Sequence, residues 1–154
     1  MAIVHDLLYQ TEYLSRIDFG QYILKITRLL LMSYNIRNSR INIEYRMSDI
    51  TLDISRAIPC GLIVNEIVTN SMIHGFPDGR KGNILIEMNR QEDTGFILKI
   101  SDNGVGLSAS FDTGTIESIG LTLVDSLVLQ LGGTWTISSN GGTEVVMVFP
   151  GNPA

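Results

Sequence analysis

The sequence predicts an α+β domain, a two-layer α/β sandwich with a mixed, mostly antiparallel sheet and helices on one face. Three observations point to it. Segments of alternating apolar and polar residues come in consecutive pairs, at 41–46 with 50–54, 84–88 with 96–101, and 135–137 with 145–149. Between the pairs run longer stretches whose apolar residues recur at helical spacing. Glycine-rich and Asn-Gly punctuation closes the strands, and strands in consecutive pairs favour antiparallel neighbours over a doubly wound arrangement.

Taken in order, residues 2–14 read as a short helix with Ile3, Leu7, Leu8 and Tyr9 on one side. Asp18 is placed to cap a second helix over 19–34, striped by Ile23, Ile26, Leu30 and Tyr34. Ile41, Ile43 and Tyr45 alternate as in a half-buried strand, and Ile50, Leu52 and Ile54 suggest its hairpin partner. A helix over 56–74 comes next, with Pro59 in its first turn, where the missing N–H has no helical partner anyway. Phe76-Pro77-Asp78-Gly79 ends it. Strands at 84–88 and 96–101 are joined by the turn Glu92-Asp93-Thr94-Gly95. The polar stretch 108–117 has no clear period. A helix over 118–131 turns Leu121, Val124, Leu127 and Val128 inward and stops at Gly132-Gly133. Trp135 and Ile137 start the last hairpin, which turns at Asn140-Gly141-Gly142 into Val145, Met147 and Phe149. There is no internal repeat, low-complexity segment or interdomain linker.

The chain has 154 residues, 44% hydrophobic and 18% charged, enough for one domain with a sizeable core. A net charge of −5 without a basic run argues against duplex nucleic acid as partner, though not against a nucleotide held by local amides and Mg²⁺. No apolar run nears the roughly 20 residues that span a bilayer. The start, Met1-Ala2-Ile3-Val4-His5-Asp6, has no basic region of a signal peptide. The expectation is a cytoplasmic segment without direct membrane contact. The lone Cys60 excludes an internal disulfide. At a helix start it is either an activated thiol or a small half-buried side chain, and the lack of a histidine or cysteine companion favours the second.

Four segments carry candidate chemistry. Glu66, Asn70 and His74 recur every four residues on an otherwise apolar helix and so stack on one face. The face contains no lysine or arginine; it is either a cleft lining or a solvent-facing stripe. Asp102-Asn103-Gly104-Val105-Gly106-Leu107 places a carboxylate and two glycines where a strand stops. Such a carboxylate accepts from an exocyclic amine, and the glycines let a flat ring approach; a surface turn is the plain alternative. Ser118-Ile119-Gly120-Leu121 opens a helix, offering free N–H groups to phosphate or simply a cap. Gly141-Gly142-Thr143 is a hairpin turn whose Thr143 hydroxyl could join a nucleotide site.

Together these segments resemble a known family. Asn65-Glu66-Ile67-Val68-Thr69-Asn70-Ser71-Met72-Ile73-His74 resembles the asparagine box of the Bergerat-fold ATPases. Asp102-Asn103-Gly104-Val105-Gly106 resembles their first glycine box, Ile119-Gly120-Leu121 the second and Gly142-Thr143 the last. The order and spacing fit the sensor histidine kinases, in a subfamily marked by Ile58-Pro59-Cys60-Gly61-Leu62-Ile63-Val64-Asn65-Glu66 and His74-Gly75-Phe76-Pro77-Asp78-Gly79-Arg80. Val4-His5-Asp6-Leu7-Leu8-Tyr9-Gln10 resembles the tail of that subfamily's dimerisation and phosphoacceptor region. The resemblance therefore implies a Bergerat ATPase fold. Residues 1–35 would be the tail of the helical region, packing on or leading into a catalytic domain at 36–154.

By the same resemblance the cofactors are ATP and Mg²⁺. Asp102 binds the adenine amine, Asn70 coordinates Mg²⁺, and Glu66 is the base or polariser that readies the phosphoacceptor. His74, Gly104, Gly106, Leu107, Gly120, Leu121 and Thr143 line the nucleotide site, 108–117 form the lid, and Arg80 and Lys81 are candidates for phosphate contact or a solvated turn. Two departures stand out: Ser118 replaces a glycine of the second box, and the short lid has Phe111 as its one aromatic. Of the two histidines, His74 falls on the site helix and His5 reads as structural. The phosphoacceptor is then expected from another segment or chain, Met1-Ala2 reads as a start made by truncation, and the partners are a phosphoacceptor histidine domain and a response regulator receiver domain. The parent protein is expected to be a homodimer. The competing readings are a stand-alone serine kinase of the anti-sigma-factor type and a nucleotide-binding interaction module without catalysis.

Overall fold

In the computed structural model, residues 16–34, 40–76, 79–92, 95–106, 119–139 and 141–151 are described, Ile119 and Gly120 by their backbone alone. Strand β1 (Arg16–Asp18) runs into helix α1 (Phe19–Ser33). Strands β2 (Ile41–Met47) and β3 (Thr51–Asp53) precede helix α2 (Ile54–Asn70), which passes into a π turn (Ser71–Gly75). Strands β4 (Gly82–Arg90) and β5 (Phe96–Asp102), helix α3 (Ile119–Gln130), and strands β6 (Thr134–Ser139) and β7 (Thr143–Phe149) complete the order. The expected helix at 2–14, with His5, lies outside the described residues, as do Pro77-Asp78, Asp93-Thr94, Asn140 and the stretch 107–118.

The main sheet has the order β2-β4-β5-β7-β6. Within it the β2–β4 pair is parallel, while β4–β5, β5–β7 and β6–β7 are antiparallel. Alternate residues of the central strands, Ile84, Ile86 and Met88 with Leu98 and Ile100 and with Val145, Met147 and Phe149, are buried in one cluster with Phe19 and Ile23 of α1, Ile63, Val64 and Ile67 of α2, and Val124 and Val128 of α3. The other face carries the row Arg46, Glu87 and Lys99; Lys99 lies 3.7 Å from Glu87 and 3.6 Å from Glu144. The fold is thus α+β, with helices on one face of a mixed, mostly antiparallel sheet.

The hairpin expected between 41–46 and 50–54 is not formed. β3 pairs antiparallel with β1 in a separate two-stranded sheet, and β2 pairs with β4. After β2, Ser48 N–H still donates to Met88 O at 2.8 Å, continuing the ladder to β4, and the next segment is held to the start of α1 instead, with Phe19 N–H on Ile50 O at 3.0 Å. Asp53 then stands at the N-cap of α2, so only three residues are left for a strand. A parallel pair needs a long crossover, and α2 supplies it.

Helix α2 begins at Ile54, ahead of the expected residue 56. Pro59 is therefore its sixth residue, beyond the first turn, and removes the N–H that would meet the carbonyl of Ser55. Asp18 caps α1 as expected, its Oδ1 accepting from Gln21 N–H at 3.2 Å. The end of α3 is also as expected: Gly132 has φ 72°, with Gly132 N–H on Leu129 O and Gly133 N–H on Val128 O, both at 3.0 Å. These are the two bonds of a Schellman motif.

Cys60 is buried in the core. Burial pushes its thiol up to about 12, against a smaller downward pull from Arg56. It stays a protonated, packed side chain, more deeply buried than the half-buried position expected.

Candidate functional site

The site is built around the end of β5. Strand alternation puts Leu98, Ile100 and Asp102 on the same, helix-covered face. The first two are core, and the third carries a carboxylate to the point where the core ends. Asp102 Oδ1 accepts the N–H of Gly104 at 2.9 Å and of Thr143 at 3.2 Å. Oδ2 accepts the hydroxyl of Ser71 at 2.6 Å. Three donors from three elements therefore fix one half-buried side chain. A carboxylate offers about four lone-pair positions, so roughly one remains for a further donor.

The turn after Asp102 is packed backbone to backbone. A Cβ on Gly104 would run into the backbone of Gly75, and one on Gly142 into the carbonyl of Asp102. Gly142 also has φ 134°, a conformation that L side chains rarely adopt. Val105 N–H donates to Gly75 O at 2.9 Å. Asn103 and Asn83 are joined twice, Asn103 N–H to Asn83 O at 3.2 Å and Asn83 N–H to Asn103 Oδ1 at 2.7 Å.

The π turn explains how α2 reaches this loop. A π turn adds a residue to one turn and re-aims the side chains beyond it. Ser71, still in regular helical geometry with its N–H on Ile67 O, presents its hydroxyl to Asp102, and the π turn that follows brings the Gly75 carbonyl to Val105 N–H. Glu66 and Asn70 lie half-buried on the last turns of α2, and Asn70 immediately precedes Ser71. His74 lies inside the π turn and is exposed, so the four-residue spacing that groups it with Glu66 and Asn70 is not continued by regular α-helix.

The sequence-derived candidates fall into three groups. Asp102, Gly104 and Thr143 are joined by hydrogen bonds, and Gly106, with φ 77°, lies against Gly142 and Ser139. The Thr143 contact is made by its backbone N–H; the hydroxyl bound to Asp102 belongs to Ser71. Glu66, Asn70, His74, Arg80 and Lys81 lie on the segments that reach or flank the Asp102 loop, and Arg80 Nη2 donates to Asn103 O at 3.3 Å. Gly120 and Leu121 are in the first turn of α3, with Leu121 buried, while Leu107, Phe111 and Ser118 lie outside the described residues.

Sequence reasoning missed Ser71, Gly75, the Asn83–Asn103 pair and Arg40, whose Nη1 donates to Phe76 O at 3.2 Å and Arg80 O at 3.1 Å. An available signal for Ser71 was its place directly after Asn70, but in a regular helix it would point well away from the Glu66–Asn70 stripe.

The chain is similar to known proteins over much of its length. It is 28% identical over 156 residues to the sensor histidine kinase PdtaS of Mycobacterium tuberculosis, covering 97% of this chain and 30% of PdtaS. It is 23% identical over 109 residues to blue-light-activated histidine kinase 2 of Erythrobacter litoralis, covering 71% of this chain and 31% of that protein. The chain therefore spans about a third of the length of the curated relatives it matches. Its fold is that of the histidine kinase domain of the Erythrobacter litoralis EL346 blue-light activated histidine kinase, with a TM-score of 0.78 at 23% identity, covering 87% of this chain and 61% of that one. Residues 56–153, which include α2, the π turn and every glycine of the Asp102 loop, match the sequence model of one family. The chain belongs to the histidine kinase-, DNA gyrase B-, and HSP90-like ATPases.

Proposed function

We propose that the chain is the ATP-binding catalytic domain of a two-component sensor histidine kinase, transferring the γ-phosphoryl group of ATP to a histidine supplied by another segment or chain. The observation that carries this reading is the Asp102 carboxylate, held by Ser71, Gly104 and Thr143 with one acceptor position left over. That position suits an amine donor such as the exocyclic amine of adenine. It disfavours a carbonyl at the same place, because two acceptors would face each other. The backbone packing at Gly104 and Gly142 keeps the carboxylate where it is, so the recognition group is preorganised.

Asn70 is assigned to Mg²⁺ and Glu66 to the incoming histidine. Among the described residues no three His, Cys, Asp or Glu side chains come together as a metal site. A half-buried amide beside a nucleotide site fits an ion that keeps several waters and draws its other ligands from phosphate oxygens. The bound metal would neutralise charge on the phosphates during transfer. Glu66, one turn before Asn70, would take a proton from the acceptor imidazole. Residues 1–35 are assigned to the tail of a dimerisation and phosphoacceptor region, and a receiver domain is the expected recipient of the phosphoryl group. No helix among the described residues is long and apolar enough to cross a membrane; a cytoplasmic setting is part of the proposal.

Thermal unfolding with ATP, with and without Mg²⁺, tests the reading. Ligand at about 100 times Kd adds about 2.7 kcal/mol of stability. For a chain of this size that is a rise of roughly 5–11 °C in Tm. Asp102→Asn should remain folded, since the amide oxygen can still accept from Gly104 and Thr143, yet lose the shift, because its NH₂ is a donor where an acceptor is needed. A folded Asp102→Asn protein with unchanged ATP affinity would sink the assignment.

A further inference from the structure

We infer that Arg40 is a positioning residue for the nucleobase pocket, acting through Arg80 and Asn103; the inference rests on the ATP-binding reading above. Arg40 precedes β2 and belongs to none of the sequence motifs. Its guanidinium Nη1 donates to two carbonyls, Phe76 O at 3.2 Å and Arg80 O at 3.1 Å. Its own carbonyl accepts Gly82 N–H at 2.9 Å. One residue thus grips both flanks of the connection between the π turn and β4.

Both flanks lead to Asp102. Phe76 is buried, packs over Gly82 and follows Gly75, whose carbonyl takes Val105 N–H at 2.9 Å. On the other flank, Arg80 Nη2 donates to Asn103 O at 3.3 Å. Asn103 is the residue after Asp102 and is itself tied twice to Asn83 at the start of β4. Releasing Arg40 therefore loosens two supports of the Asp102 turn together. The geometry also places Arg80 on the base side of the site, because the carbonyl it holds is one residue from the adenine-binding carboxylate. A guanidinium suits the Arg40 role, since its planar set of N–H donors can serve two carbonyls at fixed angles; a lysine keeps the charge without that plane.

Titrations of ATP and of adenosine against the wild type, Arg40→Ala, Arg40→Lys, Arg80→Ala and the double alanine variant test this. In Arg40→Ala both ligands should weaken by the same factor, about tenfold, with the Mg²⁺ dependence unchanged. Arg40→Lys should recover part of the loss. Arg80→Ala should weaken both ligands, and the double variant should be no worse than the Arg40 single, because the two act in series. Unchanged affinity in folded Arg40→Ala, loss for ATP but not adenosine, or factors that multiply in the double variant would each overturn the inference. Amide exchange in the nucleotide-free protein gives a readout that does not depend on the ATP reading. Asn103 and Val105 should exchange faster in Arg40→Ala while Leu98 and Met147 do not. A uniform acceleration across the sheet would mean a general structural role and would also overturn it. A wild type that binds no ATP would instead refute the nucleotide reading, with the exchange pattern still deciding the coupling.

Discussion

Ser71 and Asp102 form the closest side-chain pair of the site, at 2.6 Å, and Ser71 is buried. Removing a hydroxyl that donates to a carboxylate costs about 1.5–3 kcal/mol where water cannot replace it. Asp102 is half-buried, so the lower end applies. Ser71→Ala should weaken ATP binding about tenfold, equivalent to about 1.4 kcal/mol, and lower stability by about 1.5 kcal/mol. Isothermal titration checks the first effect and urea unfolding the second; unchanged affinity would show that Gly104 and Thr143 suffice to aim the carboxylate. Asp102 was legible in the sequence because strand alternation and the following glycines mark a carboxylate at a strand end. Ser71 and Arg40 were not. Ser71 continues the regular helix of α2 and meets Asp102 31 residues on, and Arg40 meets partners 36 and 40 residues away, distances that no local pattern announces.

At the scale of elements, periodicity located most helices and strands, and the β4–β5 and β6–β7 hairpins pair as the sequence suggests, but the partner of β3 is not the expected one. The alternation at 50–54 is real over β3, yet β3 pairs with β1, a three-residue strand too short for its own pattern to declare. Pairing here was decided by where Ser48 and Ile50 are anchored, which is tertiary information. Termini were better marked. Gly132 lies at φ 72°, and a Cβ there would meet Pro150 Cγ at 3.6 Å, an ordinary contact. Backbone conformation, not crowding, then sets the cost of Gly132→Ala, about 1–2 kcal/mol. Urea unfolding should show a lower midpoint with an unchanged slope. A midpoint equal to that of the wild type would mean the Schellman turn relaxes into another C-cap without cost. Asp18→Ala, which removes the bond to Gln21 N–H, should cost about 1 kcal/mol at the other end of the helical layer.

At the scale of the whole molecule, the site and the core are built on the same elements. Asp102 ends the strand that carries Leu98 and Ile100, and Ser71 follows the helix that carries Cys60 and Ile63. Arg56, on that helix, donates to Pro150 O at 2.7 Å and lies 5.4 Å from the Phe96 ring centroid, which ties α2 to the end of β7 across the core. Cys60 reports on the core, being buried among residues of the central core cluster. Its thiol is held at about 12 in the fold against an ordinary 9.0. A raised pKa of this kind contributes stability that is complete below about 9, where both states are protonated, and is lost as pH rises from there toward 12. Near pH 8 a thiol reagent should therefore react with Cys60 only through opened molecules. If that opening is global and ATP binds at Asp102 as proposed, the nucleotide must oppose it by mass action. Saturation at about 100 times Kd should then slow labelling about 100-fold. The experiment compares labelling rates with and without Mg²⁺–ATP in the wild type and in Asp102→Asn. Slowing in the wild type alone places the site and the core in one cooperative transition. A wild-type rate that ignores saturating nucleotide, in a protein whose Tm does rise with it, would instead mean that α2 opens locally around Cys60 while the Asp102 loop stays closed.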